Sequence, residues 1–184
     1  VNGNWQGACY PFRMGLQCGA IRCEFGPDNS LLVGMTNRGW GGRGNSPFGL
    51  QRLRWTGMTP FEIHTMSAIP GGFSLRYTAQ LNADELDAGS FKMKSYTYKL
   101  HSPYGSPEVD TKELAISGVK AHEDGLGLDL SVEGLRSGYV HELNADGVRS
   151  KSGGATTQLR FHWPPLPEAG IRPIFRAMWL RRFA

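Results

Sequence analysis

The sequence has no run of apolar residues approaching the roughly 20 needed to cross a bilayer as a helix, so no membrane span is expected. It has only three cysteines, Cys9, Cys18 and Cys23, all near the start. An odd number cannot pair completely within one chain, and no CxxC spacing marks a structural zinc site. Two readings of the thiols stand: a Cys9–Cys18 disulfide that leaves Cys23 free, or buried free thiols. There is no Gly-x-Ser-x-Gly elbow, and no Ser or Cys has a base beside it that the sequence makes legible. A strong excess of one charge is also missing. The net charge is +4, and Arg172, Arg176, Arg181 and Arg182 supply four of the 20 Lys and Arg. The body is then close to neutral, and a nucleic-acid partner is not implied. The chain opens on Val1 with no signal-peptide pattern. The expectation is that a leader has been removed or that the chain is a piece of a longer protein.

What is present is turn chemistry and alternation. Gly 25 and Pro 11 are high for 184 residues, which favours many short strands. Strands are expected at Ile21–Phe25, Leu31–Met35 and Leu50–Trp55. Pro27, Asp28 and Asn29 make a turn between the first two. Asn37 to Asn45 is a glycine loop. From Pro60 onward the alternation is clean. Phe73, Leu75 and Tyr77 share one face of a strand, with Ser74, Arg76 and Thr78 on the other. The same pattern is read at Phe61 and Ile63, at Tyr96, Tyr98 and Leu100, at Leu128, Leu130 and Val132, at Tyr139 to Leu143, and at Leu159, Phe161 and Trp163. With Leu114–Val119 this gives about seven strands, the pattern of an all-β sandwich. Only Ala83–Ala88 reads as a helical turn.

Pro164, Pro165 and Pro167 end the last strand. Residues 166–184 form a basic, aromatic tail. It is read either as a short cationic amphipathic helix that meets a membrane or partner, or as a segment that packs on the body or is foreign to the gene.

Two stretches carry a resemblance. The first runs through Gly7 to Phe12, Gly15 to Ala20, Phe25 to Gly34, Asn37 to Gly41 and Gly49 to Leu53. It resembles the last blade of the β-propellers of the glucose/sorbosone dehydrogenase-like (soluble quinoprotein-type) group. The second includes Ser95 to Tyr98, Tyr104 to Glu108, Asp110, Gly134 to Leu143 and Gly147 to Ser150. It is similar to the bacterial immunoglobulin-like domain that follows such propellers. The resemblance implies residues 1–57 as a propeller-blade-like remnant, 58–165 as an immunoglobulin-like β-sandwich, and an exported bacterial protein, periplasmic or extracellular. It implies no quinone site, because the blades that would hold one are absent. A lone blade leaves edges uncovered, so self-association or packing on missing blades is expected.

The residues that can carry chemistry are few. His101, Glu108 and His141 can hold Zn²⁺ with one open position, where a bound water ionises near neutral pH and attacks an ester or phosphoester. Glu108 and Asp110 are two apart and would share a face of an extended strand. They can serve as a general acid/base pair, bind Ca²⁺, or be a solvated surface pair. Arg38, Trp40 and Arg43 lie in the glycine loop and can bind an anion or stack on a sugar. Two functions follow: a non-catalytic accessory module used for assembly or glycan contact, and a small metal-dependent hydrolase.

Overall fold

A computed structural model describes residues 12–37, 44–156 and the backbone of 175–176. The described residues divide into two compact units, with the boundary between Met58 and Thr59. The expected strand from Leu159 to Trp163 lies outside the described residues.

The first unit is a three-stranded antiparallel meander, β1 (Ala20–Phe25), β2 (Leu31–Thr36) and β3 (Phe48–Leu53), in the order β1-β2-β3. The turn that joins β1 to β2 is built as its residue types demand. Asn29 takes the left-handed conformation at φ 59°. The Asp28 carboxylate accepts from the Ser30 hydroxyl at 2.6 Å. That hydrogen bond, followed by one from the Ser30 N–H and the charge of Arg52, holds the Asp28 carboxyl below its usual range. One face of the meander buries Val33 and Met35 with Cys18, and Leu16, Leu31 and Leu53 pack against them. Cys18 is a buried free thiol and Cys23 an exposed one, while Cys9, the expected disulfide partner of Cys18, lies outside the described residues. The third strand begins two residues earlier than its apolar pattern suggests, because Phe48 pairs with Thr36.

The second unit is a sandwich of two antiparallel sheets. One has the order β11-β4-β5-β9-β8, from β4 (Ile63–Ile69), β5 (Gly72–Tyr77), β8 (Ile116–Ala121), β9 (Gly127–Val132) and the two-residue β11 (Phe175–Arg176). The other has the order β10-β6-β7, from β6 (Lys92–Thr97), β7 (Val109–Leu114) and β10 (Val140–Asn144). Alternation decides which residues meet between them. Phe73, Leu75, Leu128 and Leu130 come from one sheet, Met93 and Leu143 from the other, and all are buried in one cluster. Burial of each Leu contributes about 2 kcal/mol. The β4–β5 hairpin turns at Pro70-Gly71, with Gly71 at φ 73°, where a side chain would be strained. Tyr77 stacks on Phe61 with ring centroids 5.3 Å apart. Its hydroxyl is buried without a hydrogen-bond partner among the described residues, and burial pushes the phenol's pKa up.

Three sequence expectations are corrected here. The strand expected over Leu114–Val119 is the end of β7 and the start of β8, which belong to opposite sheets and are separated by Ala115 alone. The helical turn expected at Ala83–Ala88 is a pair of 3₁₀ turns, Ala83–Glu85 and Ala88–Ser90, the second capped by the Asp87 carboxylate on the Ser90 N–H. In β6 the core face is Met93 and Ser95, not Tyr96, Tyr98 and Leu100. Those three occupy or follow the outer face, with Tyr96 covered and Leu100 fully exposed. The tail is described only at 175–176, where Phe175 pairs with Met66 and Arg176 with Thr65.

Candidate functional site

The outer face of the β10-β6-β7 sheet carries alternate residues of β6: Lys94, Tyr96 and, just beyond the strand, Tyr98. Register places Glu142 of β10 opposite Lys94. Glu108 enters from the chain just before β7. The Lys94 ammonium lies 3.0 Å from Glu108 Oε2 and 3.4 Å from Glu142 Oε2. It also stands over the Tyr96 ring, 5.0 Å from its centroid. The hydrogen bond to Glu108 comes first among the interactions that raise the Lys94 pKa. Tyr98 meets Tyr96 edge to face at 5.6 Å. Burial raises the Tyr96 phenol well above its ordinary value, and a hydrogen bond with Tyr98 adds to the shift. Tyr98 itself is half exposed. The loop from Tyr98 to Glu108 is pinned across its base by the Lys99 N–H, which donates to Ser106 Oγ at 2.9 Å. Beyond that pin Leu100 and Tyr104 stand fully exposed.

A second network closes the same sheet from the β9–β10 loop. Arg136 Nε donates to Ser95 Oγ at 2.9 Å, and Nη2 donates to the carbonyls of both Ser95 and Asp110. The guanidinium also donates to Asp110 Oδ2 at 2.9 Å and lies over the Tyr139 ring, 3.8 Å from its centroid. Tyr139 donates to the same carboxylate oxygen at 2.6 Å. That bond, followed by the Arg136 charge, holds the Asp110 carboxyl below its usual range. The Arg136 N–H donates to Nε2 of His141 at 3.3 Å. His141 is fully buried, its ring tilted against Phe73 at 6.2 Å.

The metal set expected at His101, Glu108 and His141 is not assembled. His141 faces the sandwich interior, Glu108 is paired with Lys94 on the outer face, and His101 is exposed in the loop. Strand alternation puts neighbours His141 and Glu142 on opposite faces, so only Glu142 joins Glu108. Among the described residues no three His, Cys, Asp or Glu side chains gather where a zinc or calcium ion could sit. Glu108 and Asp110 are not brought together either: Glu108 meets Lys94, and Asp110 meets Arg136 and Tyr139. The register of β6 and β7 slips between Ser95 and Thr97, and Asp110 takes φ 52° at that bulge. Its carboxylate is thereby engaged by Arg136 and Tyr139, away from the Glu108–Lys94 pair. Arg38, Trp40 and Arg43 lie outside the described residues.

Residues that sequence reasoning passed over do most of the work. Lys94 and Glu142 join Glu108 only through strand pairing. On the outer face of the larger sheet, His122 lies between Arg76 and Asp129, at 3.3 and 2.9 Å, and Arg76 also pairs with Asp124 at 2.7 Å. The one local signal for the site was the alternation Lys94, Tyr96, Tyr98.

Comparison with protein-family models, curated proteins and solved structures found no match. No helix among the described residues is long and apolar enough to cross a membrane.

Proposed function

We propose that this chain is a non-catalytic accessory module that contacts carbohydrate through the outer face of β6, β7 and β10. The observation that carries the reading is the half-exposed Tyr98, set edge to face on Tyr96, whose ring lies under the Lys94 ammonium of the Lys94–Glu108–Glu142 group. An aromatic ring takes the apolar C–H face of a sugar, while carboxylates accept from its hydroxyls and an ammonium donates to its oxygens. The exposed Tyr104 of the adjoining loop supplies a second ring. The resemblance to propeller-linked immunoglobulin-like domains supports a role beside an exported sugar-dehydrogenase-like protein, and the strand order β4-β5-β9-β8 against β10-β6-β7 supports the immunoglobulin-like assignment.

The test is native affinity electrophoresis of the whole chain in gels containing neutral polysaccharides: β-glucan, mannan and galactan. Retardation in at least one gel is expected. Tyr98→Ala and Tyr104→Ala should each lower it while circular dichroism stays unchanged. Free migration in all three gels, or variants retarded as strongly as the parent chain, overturns the reading.

A further inference from the structure

Among the described residues, the strand β1 is an open edge whose charges are complementary to a reversed copy of itself. Among the described residues it pairs only with β2. Ala20 through Glu24 are all exposed. Arg22 stands opposite Gly34 and Glu24 opposite Leu32, so the two share one face of the meander, with Cys23 on the other. Neither Arg22 nor Glu24 makes an ion pair among the described residues, although Arg52 and Arg54 of the same unit both reach Asp28. The bulge in the β1–β2 register lies between Ala20 and Arg22, which leaves Arg22 to Phe25 regular.

We propose that two copies of this chain pair antiparallel through β1, about a two-fold axis that runs perpendicular to the sheet, midway between the two Cys23 residues. This goes beyond the carbohydrate reading and does not depend on it. Residues opposite each other in an antiparallel pair share a face, and a two-fold axis of this kind keeps like faces together. Centred on Cys23, it sets Arg22 against Glu24 of the second copy and Glu24 against that copy's Arg22. The two three-stranded meanders become one six-stranded sheet. Charges on an edge strand ordinarily block pairing. Here the alternation of sign turns them into attraction in this one register. The other open edge does not offer this: β3 carries Arg52 and no acid across Phe48–Leu53. In β7 the acid–base pair Asp110 and Lys112 is broken by the bulge at Asp110.

The axis also brings the two exposed Cys23 thiols together, which gives a covalent readout of a weak dimer. With oxidised glutathione, one Cys23 thiolate attacks the disulfide and releases one glutathione. The second Cys23 thiolate then displaces the other. Two protein thiols are oxidised to one disulfide, and one glutathione disulfide is reduced to two thiols.

The experiment follows this dimer on non-reducing gels, using the full chain in a Cys9→Ser background; Cys18 is buried. Arg22→Glu and Glu24→Arg should each slow dimer formation about tenfold, because each sets like charges opposite one another twice. The doubly swapped Arg22→Glu, Glu24→Arg chain should recover the parent rate. Cys23→Ser should give no dimer. A parent chain that does not crosslink, single variants that crosslink at the parent rate, or a double swap that stays slow overturns the proposal.

Discussion

Arg136 holds Asp110 at both its backbone and its side chain: Nη2 donates to the Asp110 carbonyl at 2.7 Å and Nη1 to its carboxylate at 2.9 Å. The two residues lie 26 positions apart. The same guanidinium donates to Ser95 twice, so one side chain ties the β9–β10 loop to β6 and to the bulge of β7.

Replacing that side chain should loosen the smaller sheet. Arg136→Met keeps the aliphatic stem and removes every donor. A loss on the order of 2 kcal/mol is expected, the scale of hydrogen bonds to charged groups. It should show as a lower urea midpoint at constant slope. Arg136→Lys should recover little, because a single ammonium cannot reproduce the guanidinium's planar fork. An unchanged midpoint would show that the network adds nothing.

Acid should weaken the fold through its aspartates. Asp28, Asp110 and Asp124 are all held below the ordinary value of 3.8, chiefly by hydrogen bonds from Ser30, Tyr139 and Arg76 respectively. Each is protonated at lower pH in the folded than in the unfolded chain. Their contribution is therefore complete above the unfolded value and is lost as pH falls through the folded one. Unfolding free energy should be level above about pH 5 and should fall below about pH 4. Asp110→Asn should flatten that decline. A curve as steep as the parent's would remove Asp110 from the account.

Tyr77 predicts an effect of opposite sign. Its hydroxyl is buried with no hydrogen-bond partner among the described residues. Tyr77→Phe keeps the ring against Phe61 and removes the desolvated group. It should raise stability by about 1 kcal/mol. A lower melting temperature would reveal a bond that the geometry does not show.

His122 has a fixed tautomer. Arg76 has only donors to offer, so the Nδ1 it faces must be bare, and Nε2 must carry the proton given to Asp129. Nitrogen-15 imidazole spectra of the neutral form should show the Nε2–H pattern. The Nδ1–H pattern would mean that the Arg76 contact is not formed in solution.

The all-β class was legible because alternation is local: Phe73, Leu75 and Tyr77 announce their strand and its buried face. β6 is harder to read because its aromatic residues lie on the outer face and only Met93 marks the inner one. Met93 faces the core while Tyr96 and Tyr98 serve the outer face, and the aromatic set is the louder of the two. The site was less legible still. Lys94, Glu108 and Glu142 meet through register, and Arg136 reaches Ser95 across 41 positions. The bulge that separates Asp110 from Glu108 leaves no mark in composition, because Asp is among the few non-glycine residues at ease with positive φ.

Ala115 is the whole connection between β7 in one sheet and β8 in the other. A link that short has no slack to absorb shear. If either layer peels away, it pulls on the last pairing of its neighbour, Leu114 with Met93 on one side and Ile116 with Val132 on the other. The amides of β6 and β9 should therefore exchange with solvent through a common opening, as one cooperative body.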